Sequence, residues 1–284
     1  MKALLLSIVL LTFASPLLAD RFKDVQVTET KVAEGLYMLS GAGGNMAAII
    51  SAEKRILVDS QYAEMADKIK AKLAELSGGA ALTALINTHV HGDHVGGNSA
   101  LAAGLDIIAH SNVLSRLKQK ADFPASGLPN ITFTSNMTLH VAGQTILLEY
   151  MPPSHTDGDI VVWFEQANVV HMGDLLFEGR FPFIDPANGG SVKGYIDNTR
   201  QLISRLNDQT RVIPGHGQLT DKAGMQRSLN MMEETLAIVQ GFKAAGMTEQ
   251  QAVAKGLGEN WRSWHWNFIT EERWIKTLYH ADVN

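Results

Sequence analysis

The chain has 284 residues, 45% of them hydrophobic and 19% charged, enough apolar material for a substantial core in one large or two small domains. A net charge of -5 gives no bulk attraction to nucleic acid or anionic lipid, and no dense Lys/Arg run reverses that balance. Cysteine is absent, so disulfides and thiolate ligands are excluded and any metal must be held by nitrogen and oxygen.

In chain order, Lys2 precedes an almost wholly apolar run over 3–18, followed by Ala19-Asp20. A positive start, a short apolar stretch and a small final residue read as a secretory signal peptide over 1–19. The mature chain, 20–284, is then expected to be a single domain delivered to the periplasm or secreted. The run falls just short of the ~20 residues an uncleaved anchor needs, so no stable membrane attachment is expected after cleavage.

Short strand-like runs follow at 36–39, 46–50 and 55–58. A helix is predicted over 62–76, with Met65, Ile69, Leu73 and Leu76 on one face. A buried strand at 81–86 leads into the histidine-rich run described below. Further strands are predicted at 107–109, 131–133, 138–141, 145–150, 160–164 and 169–172, and helices at 195–206, 222–242, 249–254 and 271–279. Strands interspersed with helices imply a layered α/β architecture. The residue pattern contains no internal repeat, low-complexity tract or linker. The Gly/Pro-rich segment 179–194 reads as a functional loop.

His89-Val90-His91-Gly92-Asp93-His94 places four metal-ligand side chains within six residues. Three imidazoles and a carboxylate are poor core material, because each needs a polar partner when buried. They suit a divalent zinc site. His89 and His91 stand at i, i+2, which fits an extended segment, and Asp93 and His94 then turn the other way. That geometry suggests two adjacent metals, one served by His89 and His91 and the other by Asp93 and His94. A polar loop that happens to be rich in histidine is the competing reading. Three further ligands are expected at strand ends: His155 after Pro152-Pro153-Ser154, Asp174 after the run 169–173, and His216 between Gly215 and Gly217. The paired prolines fix the backbone before His155, and the glycines leave room for the chain to approach a bound ion.

With Thr88-His89-Val90-His91-Gly92-Asp93-His94, then His155, Gly173-Asp174 and Pro214-Gly215-His216-Gly217, the chain resembles the metallo-β-lactamase-fold hydrolase superfamily. The resemblance implies an αββα sandwich, two mixed sheets between outer helices, with two zinc ions at one edge. His89, His91 and His155 would hold the first, Asp93, His94 and His216 the second, and Asp174 would bridge them. It also implies a water or hydroxide between the ions, its pKa lowered towards ~7, as the nucleophile. Asp93 would both anchor the second ion and orient the attacking water.

Asp59 is expected to steady the histidine loop by hydrogen bonds or simply to make a turn. His110 is read as a structural or helix-start residue and His171 as packed. The tryptophans of 261–266 are read as cover for the C-terminal helices in preference to a wall of a cleft. Arg180 and Lys193 are candidate contacts for a substrate carboxylate or phosphate, and Phe181, Phe183 and Tyr195 for an apolar group. Gly41-Ala42-Gly43-Gly44-Asn45 is expected to form a second rim. The expected partner is a small molecule, not nucleic acid, with attack on the carbonyl of a β-lactam, lactone, ester or thioester. A β-lactam is the best single named candidate. A phosphodiesterase on the same centre, a mononuclear iron oxygenase and a non-catalytic metal-binding accessory protein are the alternatives, and the complete second ligand set argues against the last two.

Overall fold

Each half of the sequence builds its own sheet. The computed structural model describes residues 21–141 and 143–282; the signal peptide expected over 1–19 lies outside them. The first sheet contains β1 (Thr28–Ala33), β2 (Leu36–Ser40), β3 (Met46–Ile50), β4 (Arg55–Val58), β5 (Ala84–Ile86), β6 (Asp106–His110) and β7 (Ile131–Phe133), adjacent in chain order. Pairing is antiparallel from β1 to β4 and parallel from β4 to β7. The second comprises β8 (Asn136–Val141), β9 (Gln144–Tyr150), β10 (Ile160–Phe164), β11 (Val169–His171), β12 (Arg211–Ile213) and β13 (Thr220–Asp221), in the order β13-β12-β11-β10-β9-β8. Only the β11–β12 pair is parallel there.

Side chains alternate between two faces of a strand, and this alternation separates three apolar layers. On β3 and β4, Ala47, Ile49, Ile56 and Val58 face inward to meet Ile160, Val162, Phe164 and Ile213 of the other sheet. Their neighbours Met46, Ala48 and Leu57 face outward onto α1 (Ala66–Ser77), where Ile69 and Leu73 are buried. On the second sheet, Val161, Val170 and Val212 pack outward against the C-terminal helices. The result is an αββα sandwich, as expected. Truncating a fully buried member of the middle layer such as Ile86 to Ala should cost about 2–5 kcal/mol and loosen the strand that delivers the histidines.

The remaining helices of the first half are α2 (Gly92–Val95), α3 (Asn98–Ala102) and α4 (Ser111–Leu117). Those of the second are α5 (Val192–Arg205), α6 (Lys222–Ala244), α7 (Glu249–Lys255) and α8 (Glu271–Tyr279). Several boundaries differ from the sequence reading. Only Ala84–Ile86 of the predicted strand 81–86 pairs, because Gly78 and Gly79 adopt positive φ to end α1 and the chain needs the next residues to return. β1 escaped detection because four of its six residues are exposed at a sheet edge. α5 begins at Val192, where the Ser191 hydroxyl caps Gly194 N, and not at Tyr195.

Candidate metal centre

The loops that carry the predicted ligands leave strand ends at one edge of the sandwich, and all seven predicted residues meet there. His89, His91 and the short helix α2 follow β5, His155 lies between β9 and β10, Asp174 follows β11 and His216 follows β12. One ligand atom from each of His89, His91, His155 and Asp174 lies within 4.8 Å of the others, and Asp93, His94 and His216 form a second such group. The groups meet at Asp174. Its Oδ2 is 3.6 Å from His89 Nε2 and 3.3 Å from His155 Nε2, while Oδ1 is 3.0 Å from His94 Nε2 and 3.4 Å from His216 Nε2.

Hydrogen bonds from outside orient these rings. Asp59, buried at the end of β4, accepts from Thr88 N and Thr88 Oγ1 and lies 2.7 Å from His94 Nδ1, the steadying role expected of it. His155 Nδ1 bonds Phe183 O at 2.7 Å, and His91 Nε2 bonds Asp185 Oδ2 at 2.8 Å. Such contacts fix which ring nitrogen is turned to the centre. Asn45 Nδ2 donates to Pro214 O and Gly217 O, pinning the loop that presents His216. His171 is packed, as expected, between Asn45 O and Gly173 N, and His110 caps α4 by accepting from Asn112 N.

Two glycines are required by close approach. A Cβ at Gly44 would lie 2.1 Å from the His94 ring, and one at Gly215 would lie 2.2 Å from Asp174 Oδ1. At Gly215 this is the room the sequence reading anticipated.

The electrostatics divide the cluster. Burial, reinforced by His94, keeps the His89 imidazole well below its ordinary pKa, and burial takes His155 down to about 3 despite Asp174. Burial also opposes protonation of His94 and His216, but the carboxylates outweigh it. Asp174, Asp59 and Asp93 hold His94 well above the imidazole range, and Asp174 and Asp93 raise His216 to about 9. Asp174 resists burial in the same way, held well below the usual carboxylate range by His94 and His216. The buried carboxylates thus favour positive charge where His94 and His216 face them. His89 Nε2, His94 Nε2 and Asp174 Oδ1 are buried at this point with no well-directed hydrogen bond among the described residues, although the last two lie 3.0 Å apart. Three orphaned ligand atoms of the right chemistry, converging on one space, fit a bound metal.

A cleft of about 650 Å³ opens onto His91, Asp93, Asp174 and His216. Gly41, Gly43 and Asn45 form part of its rim, as expected of that segment, and Arg180 and Phe183 line it. Three other expectations are corrected. Lys193 lies on the exposed face of α5, 2.8 Å from Asp197, away from the cleft. Phe181 and Tyr195 are buried in the helical core, where the Tyr195 hydroxyl donates to Asp174 O. Trp261, Trp264 and Trp266 all pack on the core, as expected, but Trp266 is a cleft wall as well. Asp185, Tyr62, Phe177 and Phe268 were not singled out from sequence. Asp185 and Phe177 lie in segments already flagged by neighbouring ligands, the only signal that pointed to them.

The sandwich and its paired His/Asp groups define a class: the metallo-beta-lactamase superfamily model matches residues 40–216, and the chain belongs to that superfamily. A metallo-beta-lactamase type 2 of Bacillus sp. (strain 170) is 26% identical over 179 residues, 63% of this chain and 68% of that protein. A hydroxyacylglutathione hydrolase of Thermosynechococcus vestitus (strain NIES-2133 / IAM M-273 / BP-1) is 33% identical over 153 residues, 53% of this chain. The chain spans about half the length of the latter, 54%. Among solved structures, a metallo-beta-lactamase from Pontibacter korlensis superposes with a TM-score of 0.64 at 17% identity, covering 73% of this chain and 99% of its own, a likeness of fold. The DIM-1 metallo-beta-lactamase gives 0.63 at 20%, covering 74% of this chain and 99% of its own.

Proposed function

We propose that the chain is a zinc-dependent hydrolase acting on an acyl compound, with His89, His91 and His155 as ligands of one ion, Asp93, His94 and His216 as ligands of a second, and Asp174 shared. The observation that carries this reading is the division of Asp174, whose two oxygens face different histidine groups. Bound there, the ions would supply Lewis acidity and a nucleophilic oxygen from water near neutral pH.

The protein's own residues do the rest. Asp93 is the carboxylate at the cleft that is neither shared nor fully buried, and it sits 3.3 Å from His216 Nε2. Burial disfavours its charge, but His94 and His216 keep it ionised, so it can accept a hydrogen bond from the water that attacks. Asp59, Asp185 and Phe183 O hold the imidazoles in register. Arg180 lines the cleft and is the contact offered to an anionic substrate group. Relatives named for β-lactams and for hydroxyacylglutathione support a carbonyl target: β-lactam, lactone, ester or thioester. If residues 1–19 act as the export signal expected of them, a β-lactam is the first candidate to test.

The test is a panel of nitrocefin, a thioester, a lactone and a phosphodiester, assayed with zinc, after EDTA and after zinc is restored. Carbonyl hydrolysis that is lost and recovered supports the reading. Turnover of the phosphodiester alone would overturn the acyl assignment, and activity indifferent to proven metal removal would overturn the whole.

A further inference from the structure

Part of the cleft wall comes from beyond the family-matched residues 40–216. Phe177 stacks on His216, centroids 4.9 Å apart and planes at 16°, and Trp266 is 6.0 Å from Phe177. Phe268 is 5.5 Å from Trp266, Phe183 is 5.2 Å from Phe268, and His91 is 5.5 Å from Phe183. These rings form an arc that starts on a histidine of one ligand group and ends on a histidine of the other. Phe268 is 47% exposed, the one large apolar side chain so exposed among the described residues. Arg273, which does not line the cleft, braces the arc with its guanidinium 4.9 Å from the Phe183 ring and 4.3 Å from the Phe268 ring. Such a surface offers a flat apolar group both area and ring geometry.

Arg180 stands on this arc, its guanidinium 5.3 Å from the centre of the Trp266 ring. It is half-buried and has no hydrogen-bond acceptor or ion-pair partner among the described residues. Glu178 acts on it electrostatically, but Glu178 Oε1 is 3.4 Å from Arg227. A guanidinium withdrawn from water with donors unused regains them by binding an oxyanion, and its planar fork matches a carboxylate. The cleft's other arginine, Arg21, is stacked over Phe22 and Tyr62 at 4.7 and 5.2 Å. Of these two cations Arg21 is exposed to water and Arg180 is withdrawn from it, so Arg180 gains more from an oxyanion.

Building on the hydrolase reading above, we infer that the substrate is a carboxylate anion bearing an aromatic or comparably flat apolar group, the carboxylate on Arg180 and the flat group on Trp266 and Phe268. Arg180 and the C-terminal residues Trp266 and Phe268 then select the substrate, while the metal-facing residues of the family-matched region supply the chemistry.

Calorimetric titration of the full zinc-loaded chain tests this with 3-phenylpropanoate, its primary amide, hexanoate and phenyl phosphate. The phenylpropanoate should bind tightest. Arg180→Gln should weaken it about tenfold or more, with the amide changed less than about twofold, and Arg180→Lys should restore part of the loss. Phe268→Leu, at an exposed position, should weaken both phenylpropanoate and its amide about three- to tenfold and hexanoate less. Equal binding of acid and amide, indifference to Arg180→Gln, or tighter binding of phenyl phosphate would overturn the inference. Binding is read without turnover, so a chain that ranks the probes as expected yet hydrolyses nothing removes the hydrolase reading and leaves the recognition intact.

Discussion

Asp185 Oδ2 lies 2.8 Å from His91 Nε2, while His91 Nδ1 faces His155 Nε2 at 2.7 Å. A carboxylate behind an imidazole fixes its tautomer and raises its basicity towards whatever the other nitrogen meets. Asp185 is itself held by Asn188 Nδ2 at 2.7 Å, and its backbone N donates to His155 O. The bond to His91 keeps its carboxyl well below the usual range. Asp185→Asn should therefore weaken zinc binding at the His89/His91/His155 group about 10–100-fold, read by chelator competition. Two equivalents held as tightly as in the wild type would show that Asp185 only shapes its loop.

Seven ligands are too many for one tetrahedral ion, so the purified chain should take up about two zinc ions. Asp174→Ala should reduce this to one or fewer, because both groups lose an oxygen. Metal analysis by mass spectrometry after saturation and desalting decides it, and one equivalent in the wild type would defeat the dinuclear assignment.

Asp93→Ala should abolish nearly all hydrolysis while leaving circular dichroism and the cooperative melt in place, because Asp93 lines the cleft and supports no core layer. Turnover retained within about tenfold of the wild type would remove it from the mechanism.

Asp159, a buried carboxyl behind the ligand His155, carries a clear pH signature of its own. Burial raises its carboxyl to about 7, against the bonds it accepts from Thr156 N and Thr156 Oγ1. A folded-state pKa raised above the unfolded value means the native state holds an extra proton between about pH 4 and 7. Stability from this group is present at low pH and is lost as pH rises through about 7. Asp159→Asn removes that titration. The melting temperature of the variant minus that of the wild type should climb between pH 4 and 7 and level off above. A constant difference across that range would mean the carboxyl is not perturbed.

The ligand set was legible in sequence because His89, His91, Asp93 and His94 are adjacent, and because Asp174 and His216 stand at strand ends beside glycines. The rings' supports were not legible. Asp185 reaches His91 across 94 positions and Asn45 reaches Pro214 across 169, separations that no local pattern encodes. Tyr195 and Phe181 were assigned to the cleft because they follow Asp174 in an apparent loop. The early start of α5 turns Tyr195 into the helical core, and the Trp264 carbonyl accepts from Phe181 N to fix that segment inward. Trp266 does both, packing on the core and facing the cleft. Three tryptophans in six residues resemble core material, yet Trp266 Nε1 bonds Phe181 O and leaves its ring at the cleft.

Every strand of the first sheet ends by Phe133 and every strand of the second begins after it, at Asn136. As the chain is delivered from its N-terminus, one sheet can therefore be complete before the other has emerged. The residues around Asp174 come from both, with His89 to His94 on the early half and His155, Asp174 and His216 on the late one. The centre does not exist in either half alone. An ion captured there would act as a rivet set last, a certificate that the halves have docked, in a chain that has no disulfide to perform that task.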